Sequence, residues 1–226
     1  MVVSSDRAWE ILYDVEQADL SHWGFTLYRT DYSPESEPRW ARLIEEIEHK
    51  TFEEIFGKPF GTPLPQKPSR ATEIRQELWE AFQTDFKSDK KLYDGMDLDQ
   101  LRKMHLDEIQ NEGAMVDVVD GEAEERPHKL RQMFVFLVAD TDVLTTGLDE
   151  GWVKVVDAKY KAEEYFVKPN QRGFVQSYWG WWKIAIGVSH NLWARMGEDL
   201  EIDQIAPRSN NGAQTVVWRG EGYWAA

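Results

Sequence analysis

The sequence predicts an α+β protein in which helices pack against a mixed or antiparallel sheet of about four to five strands. Two observations favour this fold class. Short runs rich in aromatic and β-branched residues have the length of strands, and they are mixed with longer segments of helical periodicity without regular alternation. A chain of 226 residues buries roughly 70% of its unfolded surface. Since that is enough for a core, residues 1–226 are interpreted as a single domain.

The first half of the chain is predicted to be mainly helical. Residues 1–20 contain an N-terminal helix, and the spacing of apolar residues predicts further helices over 40–55, 74–86 and 98–109. The aromatic and β-branched run at 23–30 predicts a strand after the first helix. This strand is the first element of the expected sheet.

Strands predominate in the second half. They are predicted at 132–138, 151–157 and 181–186. Three segments are interpreted as loops. Prolines and glycines interrupt 57–69, the acidic segment 117–129 is expected to be solvated, and 197–226 is a loop-rich tail.

Charge and composition exclude several classes of protein. The formal net charge of −15 argues against nucleic acid as a partner, because such binding needs a basic surface. The absence of cysteine excludes disulfide-stabilised folds, thiol enzymes and zinc ribbons. The N-terminal sequence MVVSSDRAWEIL has neither the basic nor the apolar region of a secretory signal. No apolar run has the length of a membrane span, so we expect a cytoplasmic protein.

Common cofactor and catalytic motifs are missing from the sequence. It contains no GxGxxG, GxxxxGK[ST], HExxH or GxSxG segment, and its five histidines are scattered. We therefore expect no cofactor and no metal. The chemistry that needs neither is proton transfer, isomerisation or cyclisation inside a shaped cavity.

Several segments resemble a large group of uncharacterised proteins in filamentous fungi. They are WGFTLYRTDY at 23–32, LYDG at 92–95, GWVKVVD at 151–157 and the strand at 180–186. The resemblance runs from Trp23 to Met196 and implies no family-wide activity. Some small fungal proteins with no recognisable motif are cofactor-free cyclases and Diels–Alder enzymes of secondary metabolism, and this analogy of class assigns no residue of the present chain.

Tryptophan is the most unusual residue in the composition, with 11 copies. Because side chains alternate along a strand, Trp181 and Trp182 point to opposite faces, so both cannot serve the same core. The predicted substrate-binding residues are Trp152, Trp179, Trp181, Trp182 and Arg29. The alternative is that the tryptophans are core or interface residues, and helical spacing favours the core for Trp9, Trp40 and Trp79.

Polar residues beside apolar strands are the candidate catalytic groups. The predicted catalytic residues are Lys183, His190, Tyr28 and Asp157, as donors to a substrate carbonyl or as acid–base groups. His105 lies on an apolar helix stripe and is interpreted as a hydrogen-bonded core histidine.

The leading hypothesis is a cofactor-independent cyclase or isomerase, including a Diels–Alder type of pericyclase, that acts on an apolar metabolite in a tryptophan-rich pocket. The alternatives are a protein-interaction or self-association module, which includes a homodimer, and a carrier for an apolar ligand.

Overall fold

The structure, a computed structural model, describes residues 2–111, 132–165, 178–198, 200–207 and 212–220. The predicted acidic loop 117–129 lies outside these residues. The predicted α+β class with a mixed sheet is confirmed, and the sheet has six strands. Within the described ranges, no helix is both long enough and apolar enough to cross a membrane.

Nine α-helical segments and six strands are described in these ranges. The helices are α1 Ser5–Gln17, α2 Ser36–Phe56, α3 Arg70–Glu80, α4 Lys90–Tyr93, α5 Leu98–Asn111, α6 Leu148–Glu150, α7 Ala162–Tyr165, α8 Ser189–Gly197 and α9 Ile202–Ile205. The strands are β1 Thr26–Arg29, β2 Asp85–Lys87, β3 Val135–Ala139, β4 Trp152–Asp157, β5 Trp181–Ala185 and β6 Val217–Trp218. A π-helical turn, Val143–Gly147, leads into α6.

The sheet has the strand order β2-β1-β3-β4-β5-β6. β1 pairs in parallel with both β2 and β3, whereas β3, β4 and β5 are antiparallel to one another in turn. β6 adds in parallel to β5. The parallel pairs are possible because long helical connections separate their strands, while a short connection is enough for an antiparallel neighbour.

Helices cover the two faces of the sheet. On the first face, Leu27, Leu137, Val155 and Trp182 are neighbours in the strand register and pack with helices α1, α2, α3 and α8. On the second face, Tyr28, Phe136 and Val156 pack with Leu101 of α5. Because both faces of the sheet are buried, its strands contain mostly apolar residues and few polar ones.

Arg102 fixes α5 over the second face. Its side chain is almost fully buried, and it donates to the backbone oxygens of Asp157 at 2.9 Å and Gly180 at 3.1 Å. These two oxygens belong to neighbouring segments of the sheet. Arg102 therefore sets where the other α5 side chains meet the sheet.

The prediction of a helix over 74–86 is wrong at its C-terminal end. Helix α3 ends at Glu80, and Phe86 lies in strand β2. The reason is tertiary pairing, since the Gln83 N–H donates to the Trp23 carbonyl oxygen. Gly24 has a φ of 142°, and a Cβ there would collide with the Gln83 carbonyl, so this close approach requires glycine.

The prediction that Trp9 is a core residue is also wrong. Helix α1 buries Ala8, Ile11 and Val15, whereas Trp9 is 53% exposed. Its ring stacks on Tyr13, with ring centroids 5.2 Å apart, on the outer side of the helix. The first helix thus presents an aromatic pair to solvent.

Candidate functional site

The tryptophans predicted to bind substrate lie in different environments. Trp182 is fully buried on the first face of the sheet, while Trp181 is half-buried on the second, so their opposite directions agree with strand alternation. Trp152 is fully buried and Trp179 is exposed. None of the four lines either of the two cavities described below.

Lys183 contacts one of these tryptophans. Its Nζ lies 4.1 Å from the centroid of the Trp152 ring, which is the geometry of a cation–π contact. The opposite residue on β4, Lys154, lies over Trp181 and donates to Asp140 at 2.6 Å. The structure therefore brings Lys183 together with Trp152, while no contact joins it to the other predicted catalytic residues.

His190 lies inside the core at the start of α8. It is 2% exposed, and its Nδ1 lies 3.2 Å from the Gly187 carbonyl oxygen. Burial lowers the pKa of His190 to about 4. The imidazole is therefore neutral at physiological pH and is enclosed by protein, away from both cavities.

Arg29 ties the end of β1 to the start of α2. Its guanidinium donates to the Ser36 hydroxyl at 2.9 Å and to Glu37 at 2.7 Å, and its Nε donates to the Asp31 carbonyl at 2.8 Å. The guanidinium also lies over the Tyr32 ring at 4.5 Å. With all these partners, Arg29 holds the strand–helix connection in place.

Asp157 borders the first of the two cavities, which has a volume of about 410 Å³. Its carboxylate accepts hydrogen bonds from the Tyr178 hydroxyl at 2.9 Å and from the backbone N–H of Lys159 at 2.8 Å. Burial raises the pKa of Asp157, although these two hydrogen bonds oppose the shift. Both carboxylate oxygens are thus engaged within the protein.

The other cavity, which we call the Lys87 cavity, has a volume of about 320 Å³. It lies where the N-terminal ends of β1 and β2 meet α5. Apolar side chains form one part of its wall, and they include Phe25, Ile109, Met133 and Trp193. The ionisable part of the wall includes Asp85, Lys87, His105 and Glu108. This volume is at the lower end of the range for small-molecule pockets.

Tyr28 lies behind this wall and is fully buried. Its hydroxyl is 2.9 Å from Glu108 Oε2 and 3.0 Å from His105 Nδ1. We call these three residues the Tyr28 cluster. His105 and Glu108 are three residues apart on α5, so they lie on the same side of the helix, one turn apart. The predicted catalytic residue Tyr28 thus connects two side chains that line the cavity.

Both ring nitrogens of His105 are engaged, because Nε2 lies 2.7 Å from the Met133 carbonyl oxygen. The prediction of a hydrogen-bonded, buried histidine agrees with this geometry. Burial lowers the pKa of His105, against the opposing effects of the Met133 carbonyl and of Glu108. Burial also raises the pKa of Tyr28, and the charge of Glu108 adds to that shift.

Lys87 brings a positive charge to the cavity. It is opposite Tyr28 in the parallel register of β1 and β2, so both side chains lie on the second face. Its Nζ is 3.2 Å from Asp85 Oδ2 and 3.8 Å from Glu108 Oε2. Burial alone would lower the pKa of Lys87, but Asp85 and Glu108 more than offset this effect, so the pKa is raised. The ammonium and the Glu108 carboxylate therefore stand side by side at the cavity wall.

Sequence reasoning did not identify Lys87 and Glu108. Lys87 follows a segment that was predicted to be helical, and its place opposite Tyr28 depends on the strand pairing. The spacing of His105 and Glu108 was a usable signal, because it places an ionisable pair on one side of a predicted helix.

No family model, curated protein or solved structure matches this chain. The resemblance to fungal proteins therefore stays a prediction. Among the described residues, no group of three or more metal-ligating side chains has an arrangement that could hold a metal ion, and the expectation of a metal-free, cofactor-free protein likewise stays a prediction.

Proposed function

We propose that the protein is a cofactor-independent enzyme that isomerises or cyclises a small carbonyl compound by proton transfer in the Lys87 cavity. The observation that carries this proposal is the pairing of a carboxylate and an ammonium group, Glu108 and Lys87, 3.8 Å apart on the wall of a cavity of about 320 Å³. Such a pair provides a base and a cationic donor without any cofactor.

The two charged groups have complementary roles. Glu108 takes a proton from the carbon next to the substrate carbonyl, and a C–H bond breaks as an O–H bond forms on the carboxylate. The negative charge that develops on the carbonyl oxygen is stabilised by a hydrogen bond from the Lys87 ammonium. Glu108 then returns the proton to another carbon, which completes an isomerisation. In a cyclisation, the enolate carbon instead attacks a second carbonyl carbon of the substrate. A C–C bond forms as the π bond of that carbonyl opens, and the resulting alkoxide takes the proton from Glu108.

The remainder of the wall supports binding of a largely apolar substrate. Phe25, Ile109 and Trp193 provide apolar surface beside the charged pair. The apolar part of the substrate can therefore lose its contact with water while its carbonyl faces Lys87. The proposed reaction therefore takes place in the Lys87 cavity, whereas the sequence predicted a pocket beside Trp152 and Trp181.

The proposal is tested by following the exchange of carbon-bound protons for deuterium. Small ketones, keto acids and unsaturated ketones are incubated with the protein in D₂O, and their proton signals are followed by NMR. We expect exchange or rearrangement of at least one class, and a loss of about 10²–10⁴-fold in Glu108→Gln. Lys87→Met should also lower the rate, because the charge on the enolate loses its partner.

A matched control is available on the same helix. Asp107 is exposed and pairs with Lys103 at 2.8 Å, outside the cavity lining. Asp107→Asn removes a neighbouring carboxylate and should leave the exchange rate unchanged. The proposal is refuted if no compound reacts faster with the wild-type protein than with Glu108→Gln.

The exposed aromatic pair on α1 favours a second candidate function, association with another protein chain. Trp9 and Tyr13 are 53% and 45% exposed and stacked on each other, and tryptophan and tyrosine are common anchors of interfaces. Light scattering coupled to size-exclusion chromatography tests this candidate. A complex that Trp9→Ala dissociates supports it, and a monomer at all concentrations argues against self-association.

A further inference from the structure

The hydroxyl of Tyr28 has one proton and two hydrogen-bond contacts, one to His105 and one to Glu108. The Met133 carbonyl oxygen only accepts, so the 2.7 Å contact requires a proton on Nε2 of His105. Tyr28 has one hydroxyl proton, yet its oxygen lies within hydrogen-bonding distance of His105 Nδ1 and Glu108 Oε2. With a neutral imidazole and an ionised carboxylate, Tyr28 faces two acceptors and can donate to only one of them.

One more proton completes both hydrogen bonds, and two arrangements achieve this. In the first, the carboxyl group of Glu108 is protonated and donates to the Tyr28 oxygen, while Tyr28 donates to Nδ1 of a neutral His105. In the second, Nδ1 of an imidazolium His105 donates to the Tyr28 oxygen, while Tyr28 donates to the Glu108 carboxylate. The two arrangements differ only by the movement of two protons along their hydrogen bonds.

We propose that Tyr28, His105 and Glu108 share one additional proton at neutral pH, and that Tyr28 relays it between His105 and the cavity-facing carboxyl of Glu108. In each transfer, one bond to hydrogen breaks and one forms at Tyr28, so the tyrosine itself is unchanged. The net result is the transfer of one proton from the imidazolium to the carboxylate, or the reverse.

The charges around the cluster are consistent with this proton count. From β2, Lys87 and Asp85 face the cluster, and the Lys87 ammonium lies 3.2 Å from Asp85 and 3.8 Å from Glu108. From α4, Tyr93 packs on the Tyr28 ring, and burial raises the pKa of its hydroxyl, so it is neutral. With the additional proton the cluster is neutral overall. Without it, the fully buried hydroxyl of Tyr28 has one proton for two acceptors.

In the reaction, the relay makes Glu108 an acid as well as a base. When His105 holds the additional proton, Glu108 is ionised and accepts a proton from the substrate. When Tyr28 has relayed the additional proton to Glu108, the carboxyl group donates it to the substrate and His105 is neutral. Tyr28 and His105 are therefore positioning and proton-supplying residues. This role rests on the proposed function, whereas the shared proton itself is a property of the protein without substrate.

The shared proton is tested by NMR on the protein alone. Samples labelled with ¹³C-glutamate or ¹⁵N-histidine report the protonation of the Glu108 carboxyl and of both His105 nitrogens, and the signals are assigned with Glu108→Gln and His105→Gln. At pH 7 we expect either a protonated Glu108 with a neutral His105, or an ionised Glu108 with an imidazolium. Any other combination overturns the proposal. Because no substrate is present, this result is independent of the deuterium-exchange experiment.

Two variants and a titration test the role of Tyr28. Tyr28→Phe keeps the ring and should lose the additional proton, so that Glu108 is ionised and His105 neutral at pH 7. Tyr93→Phe removes a nearby hydroxyl that makes no hydrogen bond to the cluster, and it should retain the proton. If Tyr28→Phe does not fold, the wild-type titration decides. Glu108 and His105 should then change together in the same macroscopic steps, and independent titration of the two overturns the relay.

Discussion

Replacing Tyr28 by phenylalanine isolates the contribution of its hydroxyl group to stability. The ring contacts with Tyr93 and Phe136, at centroid distances of 5.5 and 5.3 Å, remain possible in Tyr28→Phe. The hydrogen bonds to His105 and Glu108 are lost. Water can replace the bond to Glu108, whose side chain is 35% exposed, but it cannot easily reach His105. We expect a loss of about 1–3 kcal/mol, the usual cost of leaving one buried polar group without a partner.

Urea unfolding followed by tryptophan fluorescence measures this loss. The midpoint should fall at an unchanged slope, and the melting temperature should fall by about 2–4 °C for each kcal/mol. Tyr93→Phe is the control, since the Tyr93 hydroxyl has no hydrogen bond to another described residue, and its effect should stay within about 0.5 kcal/mol. A Tyr28→Phe protein as stable as this control would refute the argument that the Tyr28 cluster stabilises the fold.

Three further predictions concern other parts of the molecule. The pKa of His190 is about 4 in the folded protein and about 6.5 in the unfolded chain, so only the unfolded chain binds this proton between those values. Stability should therefore fall by about 2 kcal/mol from pH 7 to pH 5 through this group, and urea midpoints should show a smaller fall in His190→Gln. Gly24→Ala should lower the free energy of unfolding, measured in urea, by about 3 kcal/mol or more, because the added Cβ collides with Gln83. In the control Gly61→Ala no atom lies near the added Cβ, and the loss should be about 1 kcal/mol. Lys183→Met should lower the free energy of unfolding by less than about 1 kcal/mol and leave the rate of deuterium exchange unchanged. A large loss of exchange would indicate that the active site lies beside Trp152.

The elements with strong patterns were predictable from the sequence. β4 and β5 lie within their predicted strands, and β3, Val135–Ala139, overlaps the strand predicted at 132–138, because each run is rich in β-branched and aromatic residues. The same pattern predicts the opposite directions of Trp181 and Trp182. Such patterns depend only on neighbouring residues in the sequence, and the folded protein has the strands that they predict.

The predictions were wrong where the structure of a segment depends on pairing with a distant strand or on which side of a helix is buried. Phe86 continues an apolar helical spacing, but the backbone around Gln83 pairs with Trp23 and turns the segment into a strand. Trp9 has a spacing that suits a core, yet α1 buries the smaller Ala8 and Ile11 instead. When a helix has two apolar sides, its sequence pattern does not specify which of them packs against the core.

The candidate site was only partly predictable for the same reason. Tyr28 was identified as a possible buried donor, but its partners lie on α5, far along the chain. Lys87 reaches the site through the register of β1 and β2. Chemistry built from three separated elements leaves no motif, so only the pairing of the strands shows which side chains meet.

The position of β1 between β2 and β3 has a consequence for synthesis of the protein on the ribosome. Leu27 is made early, but its neighbours in the sheet, Phe86 and Leu137, emerge much later. Until both have left the ribosome, the apolar strand has at least one unpaired edge, and such strands are prone to aggregate. We therefore expect nascent chains in which β3, which ends at Ala139, has not yet left the ribosome to depend on chaperones, since non-local pairing of this kind is slow to form.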